Sequence, residues 1–414
     1  MRMLDGQAAD GYVTDLENRG SRFHEIEPAV RKIIDGVRGN GDSALFEYAR
    51  QLDGLDSEQS LRVGESDIED SWKQAPAQLQ AALREAAKNI RQFCEWQKPK
   101  AWTKSRGGIS LGQVVRPLDS VGCYVPGGRF PLVSTLLMTV IPAQVAGVTN
   151  IRVVSPRPST EVLAAAAMLG VEEFYRVGGA QAIAALAYGT ETIPRVDKIV
   201  GPGNSYVTTA KKLVAFDCSI DMLAGPTEVV IVSPKGKAAF IAADLVAQAE
   251  HDPETLAVFI TTSRKLAEAV AKKLGGESVR ENVIAQQALA SRGAILIAES
   301  REQAFDWANR IAPEHITIEK KDLSLVHNAG SVFIGDYSAQ AAGDYASGPN
   351  HVLPTAGAAR FRGGLSVTDF VKVISVQELS SKSLRKLSPI IVRLAETEGL
   401  RAHAESIRVR CARA

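Results

Sequence analysis

The sequence has almost no excess charge of either sign. Its 414 residues contain 48 Lys and Arg against 47 Asp and Glu, which leaves a formal net charge of +1. Proteins that bind nucleic acid or an acidic membrane surface over an extended face usually carry a basic excess. The composition therefore gives no electrostatic case for a nucleic-acid or membrane partner.

Cysteine motifs and long apolar runs are also missing. The four cysteines are Cys94, Cys123, Cys218 and Cys411. Since no two of them form a C-x-x-C motif, neither a thiolate zinc site nor a redox dithiol is indicated, and we expect idle thiols in a reducing compartment. The N-terminus has no apolar signal-peptide core, and no apolar run is long enough to cross a bilayer. We therefore expect a cytoplasmic protein.

The sequence does contain enough apolar residues for more than one hydrophobic core. With 45% hydrophobic and 23% charged residues it resembles ordinary globular proteins, and 414 residues predict two or more domains. Residues 1–27 show little periodicity, and we expect an N-terminal arm that needs a partner surface to become ordered. Residues 28–113 show a helical period of apolar side chains, and we expect a helical part that packs with the second of two α/β domains.

Residues 114–226 alternate short β-branched runs with alanine-rich segments. The pattern predicts strands over 120–125, 150–155, 173–177, 198–200 and 219–222, most of them separated by a helix. Such alternation predicts a parallel sheet with right-handed crossovers, as in a nucleotide-binding domain. A ligand should then bind beyond the carboxyl ends of the strands.

Three strand-to-helix junctions of this region are rich in glycine, at residues 124–128, 178–181 and 201–204. Glycine lets backbone amides approach a phosphate, and the N-terminus of the following helix adds partial positive charge. No G-x-G-x-x-G motif is present, and the alternative interpretation is that the glycines serve only tight turns. Three such junctions in one sheet favour ligand binding over a role in tight turns alone.

A second alternation spans residues 227–365. It predicts strands over 228–233, 256–262, 294–298, 316–319 and 331–335, with helices over 237–250, 264–274 and 300–311. The tail, residues 366–414, is predicted to be mostly helical. Its apolar stripe, with steps of three and four residues, is typical of core or a subunit interface and consists of Leu384, Leu387, Ile391 and Leu394.

Gln248 and His251 combine a predicted helix end with two possible metal ligands. At a spacing of three residues both side chains lie on one face of the helix, where an amide oxygen and an imidazole nitrogen can bind one ion. The alternative is a histidine that only caps its own helix. Four histidines lie in polar, turn-rich stretches that packing alone does not explain: His251, His315, His351 and His403.

The ordered motifs of this chain closely resemble those of the histidinol dehydrogenase family. The resemblance runs from about Val30 to Arg408. The motifs that carry it are residues 124–128, 178–184, 199–204, 221–226, 249–253, 312–315 and 348–355. Motifs of this length, in this order, are specific for the superfamily and less specific for its substrate.

The resemblance implies a role for each matching residue. Glu314 and His315 would be the catalytic pair. The zinc (Zn2+) ligands would be Gln248, His251, Asp344 and His403. Contacts with the substrate would come from these four ligands and from Thr227, His315, His351 and Glu398. The cofactor NAD would contact Tyr124, Gln181 and Asn204.

The family's fold implies two incomplete Rossmann-like parallel-sheet domains with small helical N- and C-terminal segments. Residues 114–226 would form the NAD-binding domain, and 227–365 the second α/β domain, which carries the metal and catalytic residues. The implied assembly is an intertwined homodimer with shared active sites, in which residues 366–414 complete the partner subunit's site.

The implied reaction is the NAD-dependent four-electron oxidation of L-histidinol to L-histidine through histidinal, at the end of histidine biosynthesis. Zinc would orient the amino alcohol, and the zinc ion itself would not change its redox state. His315 would act as the general base on the alcohol, and Glu314 would activate water for the second oxidation. Two NAD would be consumed per histidinol.

Glu314 and His315 are adjacent, which constrains the backbone. Neighbouring residues of a regular strand point to opposite faces, so both could not serve one site there. We predict that Pro313 holds residues 312–315 in a turn and that the strand begins at Ile316.

Two places depart from the family's pattern. Residues 129–135 replace the usual small residues followed by Tyr-Pro-Ser-Ser, and Thr227 stands where serine is common. One alternative function is a paralogous zinc- and NAD-dependent alcohol dehydrogenase acting on another small alcohol such as dihydroxypropanesulfonate, because sulfopropanediol dehydrogenase has a similar Gly-Gly-Arg start. The other two alternative functions are a metal-dependent hydrolase that uses Glu314 and a non-catalytic binding scaffold.

Overall fold

The computed structural model describes residues 1–19, 25–127, 131–276, 279 and 281–412, and it shows an α/β protein with two parallel sheets. Helices cover both sheets, which confirms the predicted fold class. A third, antiparallel sheet of three strands lies apart from them. No helix in these ranges is long and apolar enough to cross a membrane.

The first parallel sheet has the order β6-β5-β4-β7-β8. Its strands are β4 (Ser120–Tyr124), β5 (Asn150–Val154), β6 (Glu173–Tyr175), β7 (Lys198–Val200) and β8 (Ser219–Ile220). Its helices are α5 (Val133–Ala146), α6 (Thr160–Met168), α7 (Gly179–Tyr188) and α8 (Ser205–Val214). Counted from β4, the order is 3-2-1-4-5, that of a dinucleotide-binding sheet without its sixth strand. All five predicted strands are present, most of them one or two residues shorter than predicted.

The second sheet repeats this order and adds a strand from the N-terminus, giving β1-β11-β10-β9-β12-β13. Its strands are β1 (Arg2–Asp5), β9 (Glu228–Val232), β10 (Leu256–Thr261), β11 (Ala294–Ile297), β12 (His315–Ile318) and β13 (Ser331–Ile334). The helices of this unit are α9 (Ala238–Ala249), α10 (Arg264–Leu274), α11 (Val283–Ser291), α12 (Arg301–Ile311) and α13 (Gln340–Tyr345). Every pair of neighbouring strands is parallel.

The N-terminal residues fold on their own chain, so the prediction of an arm is wrong for residues 1–19. β1 pairs with β11, and α1 (Gly6–Glu17) buries Ala9 and Val13 against α12. A strand of four residues is too short to show a hydrophobic period, which explains the missing signal. The remainder of the predicted arm, residues 20–24, lies outside the described residues.

The helical part that follows comprises α2 (Glu27–Tyr48), which Gly41 interrupts, α3 (Glu65–Gln74) and α4 (Ala77–Gln97). These helices pack on α5 to α8 of the first unit, so the prediction that they pack with the second domain is wrong. An apolar stripe shows that a helix has a buried face. It does not show which sheet that face meets.

The antiparallel sheet consists of β2 (Trp102–Arg106), β3 (Ile109–Pro117) and β14 (Val371–Leu379), and we predicted none of it. The two helices α14 (Ser381–Thr397) and α15 (Arg401–Cys411) follow β14 and pack on each other. β14 pairs with a strand from far earlier in the chain, and local sequence patterns do not encode such a partner. Most of its residues are exposed.

Residues 346–356 cross between the two parallel sheets and set their relative position. The Asn350 side chain donates to Met138 O of α5 (2.6 Å), and Thr355 Oγ1 accepts from Gly225 N (2.5 Å). The amide of Ala356 donates to the Glu228 side chain at the start of β9 (3.0 Å). The candidate site lies beside this crossing.

Candidate active site

Glu314 and His315 lie at the turn between α12 and β12. Ala312 ends the helix in a left-handed conformation (φ 49°), Glu314 lies in a bend, and the strand begins at His315. The predicted turn is therefore present, but the prediction that the strand begins at Ile316 is wrong by one residue. Because Glu314 precedes the strand, the alternation of side chains does not apply to it. Glu314 Oε2 lies 3.6 Å from His315 Nδ1, so both side chains face one site.

Residues 227 and 228 hold the Glu314 carboxylate. Thr227 Oγ1 donates to Glu314 Oε2 (2.5 Å), and the amide of Glu228 donates to the same oxygen (2.9 Å). The carboxylate is buried. A buried carboxylate with two fixed donors keeps one orientation.

His315 contacts backbone at one ring nitrogen and a carboxylate at the other. Its Nδ1 lies 3.1 Å from Glu228 O, and its Nε2 lies 3.6 Å from Asp344 Oδ1. A proton on Nδ1, donated to this carbonyl, leaves Nε2 as the acceptor. Burial lowers the pKa of His315, but the negative charges of Glu314 and Asp344 outweigh burial and raise the pKa to about 9.

Asp344 joins His315 to the helix end that carries Gln248 and His251. Gln248 Nε2 donates to Asp344 Oδ2 (3.0 Å), and Gln248 Oε1 lies 3.3 Å from Thr227 Oγ1. His251 Nδ1 lies 3.1 Å from Gln248 O and so caps its own helix, which leaves its Nε2 available. Metal-binding histidines commonly fix one ring nitrogen on a carbonyl in this way.

His351 connects this cluster to the first sheet. Its Nδ1 lies 2.8 Å from Asp344 O, and its Nε2 lies 3.4 Å from Thr135 Oγ1 of α5. Burial lowers the pKa of His351, so its ring is neutral near pH 7. The residue therefore lies between the two parallel sheets.

A second group of residues lies at the carboxyl ends of the first sheet. Tyr124 ends β4 and its hydroxyl accepts from Gly179 N (3.1 Å). Asn204 caps α8 by accepting from Val207 N (3.1 Å). Gln181 Nε2 donates to Asp53 Oδ2 (3.0 Å), whereas its buried Oε1 has no partner among the described residues.

Glycines allow close backbone packing at this edge. A Cβ on Gly201 (φ 114°) would lie 2.1 Å from Tyr124 O, and one on Gly127 would lie 2.0 Å from Pro156 O. No larger residue fits at either position. Two backbones therefore approach each other here more closely than a side chain allows.

The sequence also places the chain among known proteins. It matches the profile of the histidinol dehydrogenase family over residues 16–411. Histidinol dehydrogenases from Methanothermobacter thermautotrophicus and Geobacter metallireducens are 48% and 45% identical over 397 and 400 residues, covering 92% and 93% of this chain and 92% of each relative. The crystal structure of histidinol dehydrogenase from Elizabethkingia anophelis aligns with a TM-score of 0.94 at 33% identity, covering 99% of this chain and 98% of that one.

The chain belongs to the histidinol dehydrogenase family. It is therefore an enzyme, an oxidoreductase that oxidises histidinol in histidine biosynthesis. This result removes the hydrolase and the non-catalytic scaffold as interpretations of the sequence.

Two of the residues that the family resemblance singles out lie away from both groups. Glu398 ends α14 and His403 lies on α15, and both are exposed. Among the described residues of the single chain, no contact joins either of them to Gln248, His251 or Asp344, and no cluster of three acidic, histidine or cysteine ligands occurs.

Sequence reasoning missed three residues beside these groups, the buried Asp53 and Glu228 and the partly buried Arg19. Glu228 begins a strand that is otherwise entirely apolar, and a carboxylate at such a position was a usable signal. Burial and the nearby Glu314 raise the pKa of Glu228 to about 7, against the lowering effect of Arg19. Arg19 and Asp53 carried no local signal, because their partners are distant in sequence.

Proposed function

We propose that this protein catalyses the NAD-dependent four-electron oxidation of L-histidinol to L-histidine through histidinal. The observation that carries the proposal is the buried Glu314–His315 pair, whose histidine faces Asp344 while Asp344 contacts Gln248. A base, a second carboxylate and a possible cation site within one cluster suit the oxidation of an alcohol followed by addition of water.

The residues at the first sheet's carboxyl edge fit NAD. The Oε1 atom of Gln181 is buried without a partner among the described residues, and such an acceptor is expected to receive a hydrogen bond from a ligand. Helices α7 and α8 begin at this edge, so their N-termini offer partial positive charge to a phosphate. Tyr124, Gln181 and Asn204 would hold the dinucleotide, which accepts hydride.

The amino edge of the second sheet fits zinc. Asp344 and Gln248 offer oxygen atoms and His251 offers Nε2, a nitrogen and oxygen donor set that zinc accepts. The Gln248 amide nitrogen faces Asp344, so ligation by the amide oxygen requires the amide to turn over. His403 of a second subunit would supply the fourth ligand. Zinc held there would act as a Lewis acid that orients the substrate through its amine and imidazole.

The chain's own residues then move the protons. The raised pKa of His315 makes the imidazole cationic while Asp344 is an unneutralised carboxylate. Pairing of Asp344 with a cation removes part of that negative potential, so His315 Nε2 becomes the acceptor of the alcohol proton. Glu314, held by Thr227 and Glu228, accepts a proton from the water that adds to the aldehyde. Thr227, His351 and Glu398 bind the substrate.

We further propose a homodimer in which residues 366–414 complete the site of the partner subunit. The exposure of Glu398 and His403, and the apolar side chains exposed on β14, α14 and α15, support this assembly. Analytical ultracentrifugation is expected to show a dimer.

Steady-state assays test the proposal directly. NADH should form with L-histidinol at two equivalents per substrate, and preincubation with a chelator should abolish the activity until zinc is restored. Dihydroxypropanesulfonate, assayed in parallel, should give no comparable rate. NADH from that diol and none from histidinol at saturating zinc would assign the chain to the paralogous activity.

A further inference from the structure

One residue, Glu228, holds both members of the catalytic pair through its backbone. Its amide donates to Glu314 Oε2 (2.9 Å), and its carbonyl oxygen lies 3.1 Å from His315 Nδ1. The backbone position of Glu228 therefore sets the orientation of the carboxylate and the proton position on the imidazole.

The side chain of Glu228 points away from these contacts into a buried ion pair. Arg19 donates from Nε to Glu228 Oε1 (3.0 Å) and from Nη2 to Glu228 Oε2 (2.9 Å). The Arg19 and Glu228 side chains are only 13% and 5% exposed, so solvent screens the pair poorly. Two parallel bonds to a planar guanidinium also fix direction, which a single bond does not.

The same guanidinium reaches the chain segment that leads into Glu314. Arg19 Nη2 donates to Ile311 O (2.9 Å), the last residue of α12, and Arg19 Nη1 donates to Leu16 O (2.5 Å). Arg19 thus joins the end of α1 to the start of β9 and to the turn before β12. Glu314 and His315 follow that turn directly.

We propose that Arg19 is a positioning residue for the catalytic pair, acting through Glu228 and Ile311. The inference rests on the proposed roles of Glu314 and His315. Its consequence is that the N-terminal segment takes part in catalysis without touching the substrate. Removing the guanidinium leaves the buried Glu228 carboxylate without its cationic partner next to Glu314, with the Ala356 amide as its remaining donor, and the start of β9 can then shift.

The test compares four variants of the full-length, zinc-loaded enzyme. Arg19→Met should lower kcat about a hundredfold, the loss typical of a displacement of about 1 Å at a reacting group, and leave the KM for NAD unchanged. Arg19→Lys should recover part of the rate, because it keeps the charge and loses the bidentate geometry. Arg19→Met/Glu228→Gln should recover more of the rate than Arg19→Met shows, because no unpaired buried charge remains.

The matched control is Arg310→Met. Arg310 also ties α12 to the N-terminal helix, through Glu17 (3.0 Å) and Thr14 (2.9 Å), but it contacts neither Glu228 nor the catalytic pair in the described residues. Arg310→Met should lose as much thermal stability as Arg19→Met does, but it should retain the kcat of the wild type. Equal loss of kcat in Arg310→Met and Arg19→Met would overturn the proposal, since loosening of α1 would then explain both.

A spectroscopic measurement separates this proposal from the proposed function. In 15N-histidine spectra, His315 should be protonated on Nδ1 in the wild type and should lose this single tautomer in Arg19→Met but not in Arg310→Met. A wild type that does not oxidise histidinol would count against the proposed function alone. An unchanged His315 signal in Arg19→Met would overturn the positioning role whatever the substrate.

Discussion

The two parallel sheets have the same strand order, yet their candidate site residues lie at opposite edges. In the first sheet, Tyr124 and the glycine-rich turns lie at the carboxyl ends of β4, β6 and β7. In the second sheet, Glu228 and His315 lie at the amino ends of β9 and β12. The same strand order therefore accompanies candidate residues at either edge of a sheet.

Helix polarity explains why each edge suits a different ligand. In β-α-β units the helix N-termini lie at the carboxyl edge of the sheet, where partial positive charge favours phosphate. The helix C-termini lie at the amino edge, where partial negative charge favours a cation. Gln248 lies in the last turn of α9, and His251 follows it. This polarity supports the dinucleotide site proposed at the first edge and the cation site proposed at the second.

The largest expected effect tests the amino edge of the second sheet. His315→Asn should lower kcat about a thousandfold, within the range for loss of a general base, with the dissociation constant for NAD unchanged. Steady-state kinetics and calorimetry measure the two quantities. The control is His327→Asn, an exposed histidine outside the cluster. A small effect of His315→Asn on kcat would show that another residue is the general base.

The carboxyl edge of the first sheet should respond differently to a change of shape. Gly201→Ala should raise the dissociation constant for NAD and cost roughly 1–3 kcal/mol of stability, because the new Cβ meets Tyr124 O at 2.1 Å in a left-handed backbone conformation. Gly335→Ala is the control, since Gly335 also has a positive φ (79°) but has nothing within 4 Å of its Cβ position. Equal NAD affinity in both variants would show that the turn at Gly201 does not hold the cofactor.

Loss of the unpartnered acceptor should have a smaller effect. Gln181→Met should raise the KM for NAD about tenfold and leave kcat at saturating NAD unchanged, because one buried hydrogen bond to the ligand is lost. Gln340→Met removes another buried Oε1 that lacks a partner in the described part of the chain, at α13 in the second unit, and should leave the KM for NAD unchanged. A change in kcat with constant KM at position 181 would contradict a cofactor role.

The smallest effect concerns pH and the helix that ends at the amino edge. Burial raises the pKa of Asp244 on α9 to about 6. The folded state therefore favours the protonated form, and this contribution to stability is present below pH 3.8 and lost as the pH rises through about 6. Asp244→Asn should raise Tm slightly at pH 8 and not at pH 4, as measured by scanning calorimetry. Parallel Tm curves across this range would contradict the prediction.

Much of both α/β units could be predicted because their signals are local. Short β-branched runs that alternate with helical segments placed ten strands within two residues, and the end of the helix that carries Gln248 followed from Asp252 and Pro253. The pairing of β14 with β3, the pairing of the N-terminal strand and the packing of α2 to α4 could not be predicted, because each depends on a partner distant in sequence. The β2–β3 hairpin has a local signal, the two-residue turn Gly107–Gly108, which sequence reasoning missed. The Glu314–His315 turn was predicted to within one residue, since Pro313 restricts the backbone locally.

The sequence by itself determined the family, the alternation of strands and helices, and the residue types available for acid-base and ligand chemistry. Those are properties of composition and short-range order. Only the tertiary structure decided that Arg19 binds Glu228, that His315 faces Asp344 and that the candidate residues of the two sheets lie at opposite edges. Such contacts join residues far apart in the chain, and packing selects them through burial and charge, which no local pattern records.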